Sequence, residues 1–115
     1  MTTFDFNDGN GHVPAHKHPN GGGWVADTTK VDETAYVGRD ARVYGYARVY
    51  GYARVYSYAR VYDNARVGDD ARVLNNARVL NDSQVCDNAR VYDNAMVLNN
   101  AMVLNDSQVY DNARV

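Results

Sequence analysis

Cysteine is almost missing from this 115-residue chain. Cys86 stands alone, so no disulfide can form within the chain, and a reducing cytoplasm suits it. The sequence shows no signal peptide and no apolar run long enough to span a membrane. Histidine is absent after His18, which confines any imidazole chemistry to the start of the chain. Threonine is absent after Thr34, which excludes the flat threonine arrays of an ice-binding surface. The glycines at 21 to 23 are followed by no helix and no Lys-Ser/Thr pair, so they are not a phosphate-binding loop. The formal charge of −2 excludes neither nucleic acid nor acidic partners.

What the chain has is a rhythm. Valine recurs at every sixth position from Val25 to Val115. From Val31 onward a small residue follows four positions later, alanine except at Ser83 and Ser107. A strict period of six fits no helix and no ordinary sandwich, and a repeat this short folds only by stacking on itself. In Ala41-Arg42-Val43-Tyr44 the residues alternate small, polar, apolar and amphipathic, the pattern of a strand with one buried face. Ala and Val point inward; Arg and Tyr point outward. The next two residues, such as Gly45-Tyr46, Asp63-Asn64 or Asn75-Asn76, are of corner type, tolerant of positive φ. Three such units close one triangular coil. Residues 25–114 hold fifteen units, hence five coils, a prism roughly 24 Å tall at the usual strand spacing. The predicted organisation is an N-terminal cap over residues 1–24 and an all-β, parallel β-helix over 25–115. A helix is excluded by the corner residues, and disorder by the regular valine column.

The unit Val43-Tyr44-Gly45-Tyr46-Ala47-Arg48 resembles the left-handed parallel β-helix of the bacterial hexapeptide-repeat proteins, whose repeat has an aliphatic residue first and a small residue fifth. The left hand is implied by that resemblance, since parallel crossovers are otherwise right-handed. Many members of the family are acyltransferases, usually trimeric, with a histidine-bearing loop inserted in the coils and a C-terminal helix. This chain departs on both counts: no insertion breaks the array and no helix follows it. Its DNARV-type units look more like the short arrays of small phage and prophage proteins. That favours binding over catalysis.

The N-terminal segment admits two readings. Phe4, Phe6 and Trp24 suit a cap covering the open core of the first coil. His12, His16 and His18 suit a metal site for zinc, copper or nickel if they converge. No other cofactor is expected.

Outer positions are free to carry function, and two patches depart from the rest. Residues 41 to 62 hold Arg42, Arg48, Arg54 and Arg60, seven tyrosines including Tyr44, Tyr46, Tyr50, Tyr52, Tyr56 and Tyr58, and no acid. They form an aromatic, basic girdle, with Tyr46, Tyr52 and Tyr58 on successive corners of one coil. Tyr and Arg dominate binding hot spots, and together they also suit bases and phosphates. The second patch is apolar: Leu80, Met96, Leu98, Met102 and Leu104 occupy outward positions, the mark of an interface. The near-copies at 80–85 and 104–109 show that the array grew by duplication, which disfavours a unique catalytic residue.

The expected function is that of a non-enzymatic structural or interaction protein, phage-like in style, presenting a rigid prism to a host or phage protein. One alternative is a trimeric acyltransferase relative using His12, His16 or His18 on a neighbouring subunit. Another is a nucleic-acid or nucleotide binder through the girdle. No membrane partner is expected. The sequence stops at Val115 with no polar cap, so association through the last coils is expected, as an end-to-end dimer or, following the resemblance, a side-by-side trimer.

Overall fold

A computed structural model describes residues 2–115; Met1, the first residue of the predicted cap, lies outside the described residues. Five strands open the chain: β1 (Thr3–Asp5), β2 (His12–Lys17), β3 (Trp24–Ala26), β4 (Lys30–Val31) and β5 (Tyr36–Val37). Twelve two-residue strands follow at six-residue intervals, from Arg42–Val43 to Gln108–Val109. Each joins the strand one coil away in parallel register, so Val55 pairs with Val73 and Val43 with Val61. The result is a β-solenoid of five coils with three faces. The first face runs from β3 through Val43, Val61 and Val79 to Val97; the second runs from β4 to Val103; the third runs from β5 to Val109. Met96 also bridges Arg114, which starts the next coil on the first face. Among the described residues no helix is long and apolar enough to cross a membrane.

The inner column is as the alternation demands. Valines from Val37 to Val97 and alanines from Ala35 to Ala95 are fully buried in one continuous cluster, with Ser83 buried among them. Ser83 stays satisfied there because its hydroxyl donates to the carbonyls of Leu80 and Val97. Each fully buried valine contributes about 1.5–3 kcal/mol. That alone does not cover the ordering of a six-residue unit, so the backbone ladder between coils is essential.

The corners divide into two distinct positions. From Gly45 on, the first residue of each pair is left-handed, with φ of 57–59° at Ser57, Asp63, Asp69, Asn75 and Asn81, and 69° and 64° at Gly45 and Gly51. The second, including Tyr46, Tyr52 and Tyr58, is not, so a tyrosine is tolerated there. Corner side chains also build a ladder. Asp63 accepts the Asn81 amide at 3.1 Å, Asn81 accepts the Asn99 amide at 2.9 Å, and Asp87 accepts that of Asn105 at 2.9 Å. Where the corner is glycine, Thr28 and Thr34 of the coil above donate to the carbonyls of Gly45 and Gly51.

The N-terminal segment caps the solenoid differently from the sequence-based expectation. Strand β2 pairs antiparallel with the free edge of β3, and β1 pairs with β2. The loop after β2 covers β5: Val37 donates to the Asn20 carbonyl at 3.0 Å and accepts from the Gly23 amide at 2.9 Å. Strand β4 keeps its outer edge unpaired, and Val31 is only half-buried. Phe4, Phe6 and Trp24 do not plug the core. They form a second cluster on the outside of the first face, Phe4 stacked on Trp24 at 4.7 Å and Phe6 on Tyr44 at 4.9 Å. Their side chains come from positions whose parity faces outward, and Arg42 lies over the Phe4 ring at 4.6 Å. It is His18 that is buried by the cap, 3 % exposed, with Nε2 donating to the Ala35 carbonyl at 2.8 Å.

Candidate functional site

The second coil carries three tyrosines on its three corners. Tyr46, Tyr52 and Tyr58 are 69, 67 and 64 % exposed, the most open large hydrophobic side chains among the described residues. Between them stand Arg48 and Arg54, both exposed, with Arg42 and Arg60 half-buried on the first face. Among the described residues the single pair at ion-pair distance is His16 with Asp27, so no arginine here is neutralised by a carboxylate. Parallel register stacks the arginines one above another: Arg42, Arg60 and Arg78 on the first face, Arg48 and Arg66 below Lys30 on the second, Arg54, Arg72 and Arg90 on the third. Like charges in direct register repel, so each ladder is receptive to an anion.

The other girdle tyrosines are not equivalent to these three. The residue after each valine lies along the side of the column, against its neighbour one coil away. Tyr44 is therefore buried, 5 % exposed, sandwiched between Phe6 and the parallel ring of Tyr62 at 4.9 Å. This corrects the expectation that Tyr44 is a contact residue: the N-terminal segment occupies its outer side. Burial raises its pKa above the ordinary tyrosine value, while the Arg60 guanidinium at its hydroxyl opposes the shift. Tyr50 is half-buried because its ring lies across Gly68, where an added Cβ would meet the ring at 2.0 Å. Tyr56 is also half-buried, and its Cα and Cβ, not its ring, pack against Gly38 in the coil above.

The three histidines do not converge, which corrects the metal reading. His12 lies 3.4 Å from the Thr3 hydroxyl, His16 is held by Asp27 at 2.7 Å, and His18 faces inward onto Ala35. His12 and His16 sit four residues apart on one extended strand, about 13 Å along it. The ligand-type side chains that do come together are Asp69, Cys86 and Asp87, on a corner and flank of the third and fourth coils. Their approach was legible in principle, since Asp69 and Asp87 are eighteen residues apart. Burial, then Asp87 and Asp69, raise the Cys86 pKa, so its thiol is kept protonated and weakly nucleophilic.

The apolar patch is assembled as its register requires. Leu80 stacks over Leu98 on the first face beside Met96, while Met102 and Leu104 lie on the second. Met102 is 59 % exposed; the other four are half-buried.

With this geometry in hand, three stretches of the chain, residues 59–75, 83–97 and 89–105, match a family described as the YdcK beta solenoid repeat. The chain is a repeat β-solenoid. Comparison with curated proteins and with solved structures gave no match. The matched stretches of the solenoid begin just after Tyr58, so the three exposed corner tyrosines fall outside them.

Proposed function

We propose that this solenoid is a non-enzymatic interaction protein whose second coil is the contact surface for a macromolecular partner, a host or phage protein. The observation that carries the reading is the ring of Tyr46, Tyr52 and Tyr58, about two-thirds exposed on every corner of one coil, with unpaired arginines between them. Large amphipathic rings held on a rigid backbone give contact area at small entropic cost, and arginine beside them adds directed hydrogen bonds. The five-coil array supplies the rigidity. The finer assignment, a hexapeptide-type repeat of the phage-like style suggested by the DNARV units, is part of the same proposal.

Three baits test it against a bacterial lysate: the wild type, Tyr46→Ala combined with Tyr52→Ala and Tyr58→Ala, and Arg72→Ala with Arg90→Ala. Proteins held by the wild type are expected to be lost from the triple variant and retained by Arg72→Ala with Arg90→Ala, which alters the lower part of the third face. Equal capture by all three baits refutes the girdle. A heat of binding with acetyl-CoA would instead move the reading to acyl transfer.

A further inference from the structure

A hollow lies between the tip of the N-terminal hairpin and the first face of the solenoid. Asn7 and Asn10 line one side, Arg60, Tyr62 and Arg78 the other, and Tyr46 stands at its rim. Its volume is about 590 Å³. That is room for a compound of small-ligand size.

The chemistry of the walls is specific. Arg60 and Arg78 are paired residues of adjacent strands, so their backbones are about 4.8 Å apart. Two acids also border the hollow, and both are engaged locally. Asp8 accepts the amide and side-chain nitrogen of Asn10, each at 3.1 Å. Asp63 accepts the amide and side-chain nitrogen of Asn81, each at 3.1 Å. Neither reaches an arginine at ion-pair distance. Arg60 is partly tied, with Nη1 donating to the Phe6 carbonyl at 3.5 Å. Arg78 is exposed and has no ion-pair partner among the described residues. Two stacked guanidiniums present more donors than the wall can satisfy, in a geometry that suits a tetrahedral oxyanion. Tyr46, 69 % exposed at the rim, offers an open ring face. The Asn7 and Asn10 side chains, in the same lining, carry further polar atoms.

We infer that this hollow binds a phosphomonoester carried on a planar ring, of the mononucleotide class. The phosphate lies on Arg78 and Arg60, the ring stacks on Tyr46, and the asparagines at 7 and 10 contact the linking sugar. The hollow shares Tyr46 and Arg60 with the girdle, but Arg78, Asn7 and Asn10 lie outside it and the ligand is a small molecule, so Arg78→Gln separates the two proposals.

Calorimetry with adenosine monophosphate, adenosine and inorganic phosphate tests it. Adenosine monophosphate is expected to bind saturably and more tightly than either fragment. Arg78→Gln and Tyr46→Ala are each expected to weaken it by at least about tenfold, while Tyr46→Phe, which keeps the ring, binds as the wild type. Both positions are exposed, so circular dichroism is expected to be unchanged. No saturable binding at millimolar nucleotide overturns the inference. So does inorganic phosphate binding as tightly as the nucleotide, or an equal loss from Arg90→Gln on the third face.

Discussion

At the scale of single residues, side chains that look alike in the repeat differ by what lies one coil away. Tyr44, Tyr50 and Tyr56 share a place in the unit, yet Tyr44 is buried and the other two are half-buried. The period was enough to give the direction of each side chain. It could not give the coverage, because Phe6 reaches Tyr44 from outside the repeat. The consequence is measurable at high pH. Burial raises the Tyr44 pKa above its ordinary value near 10.0, so the unfolded chain ionises first as pH climbs. Between the two values the folded state holds the extra proton, and stability falls with rising pH. Urea midpoints are therefore expected to drop between neutral pH and pH above about 10, and less in Tyr44→Phe than in the wild type. An identical drop in both would assign the alkaline loss elsewhere. Two glycines make a sharper pair. An added Cβ at Gly23 meets the Gly38 carbonyl oxygen at 2.2 Å, whereas at Gly68 it meets only the far end of the Tyr50 ring. Backbone cannot retreat as a ring can. Gly23→Ala is expected to cost about 1–3 kcal/mol or more, and Gly68→Ala to stay within about 1 kcal/mol of the wild type. Thermal melts of the two variants decide.

At the scale of the element, the hexad was legible because the inward positions from Ala35 to Val97 obey one rule. Ala41, Val43, Ala47 and Val49 have no exposed surface. The corners were legible as corners, but not their inner division. Only the first corner residue is left-handed, and the sequence shows this in retrospect: Gly45 and Gly51 precede Tyr46 and Tyr52, while Asp63, Asp69 and Asn75 hold the same place below. Ser57 is the exception, at φ 57° with no amide or carboxylate to relieve it. Its column continues through Asn75 and Asp93, and Asp93 accepts the Asp111 amide at 3.1 Å. Ser57→Asp would place the same acceptor above Asn75 and suit the backbone better. It is expected to raise stability by about 0.5–1 kcal/mol, the worth of one added hydrogen bond. Ser57→Val, β-branched in a left-handed position, is expected to lower it by about 1–2 kcal/mol. If valine is as stable as serine in chemical denaturation, the corner does not constrain the coil. The cap was the least legible element. Its aromatics suggested a plug, but a plug needs inward parity, which pairing of β2 with β3 does not give them.

At the scale of the whole molecule, surface character changes along the axis, from aromatic and basic in the second coil to apolar in the fourth and fifth. Leu80 and Leu98 lie in one column beside Met96, and around the next corner Met102 and Leu104 continue the apolar surface. Stacking accounts for the half-burial of the leucines, since each lies along its column under the residue above. It does not account for Met102, which replaces the lysine, arginine or glutamine of the coils above and is 59 % exposed. A charged residue there would be fully solvated at no cost to the fold, so an apolar one marks a surface suited to cover. A second copy of the chain, as dimer or trimer, is the proposed cover. Light scattering at micromolar protein is expected to give a mass above that of one chain. Met102→Arg with Leu104→Arg is expected to shift the mass toward one chain while the β-type circular dichroism persists, because both side chains point away from the valine core. Tyr46→Ala, two coils or more distant on another part of the surface, is expected to leave the mass unchanged. A wild-type monomer would remove self-association and leave the apolar surface to a different partner; a variant that stays assembled would place the contact between copies elsewhere on the prism.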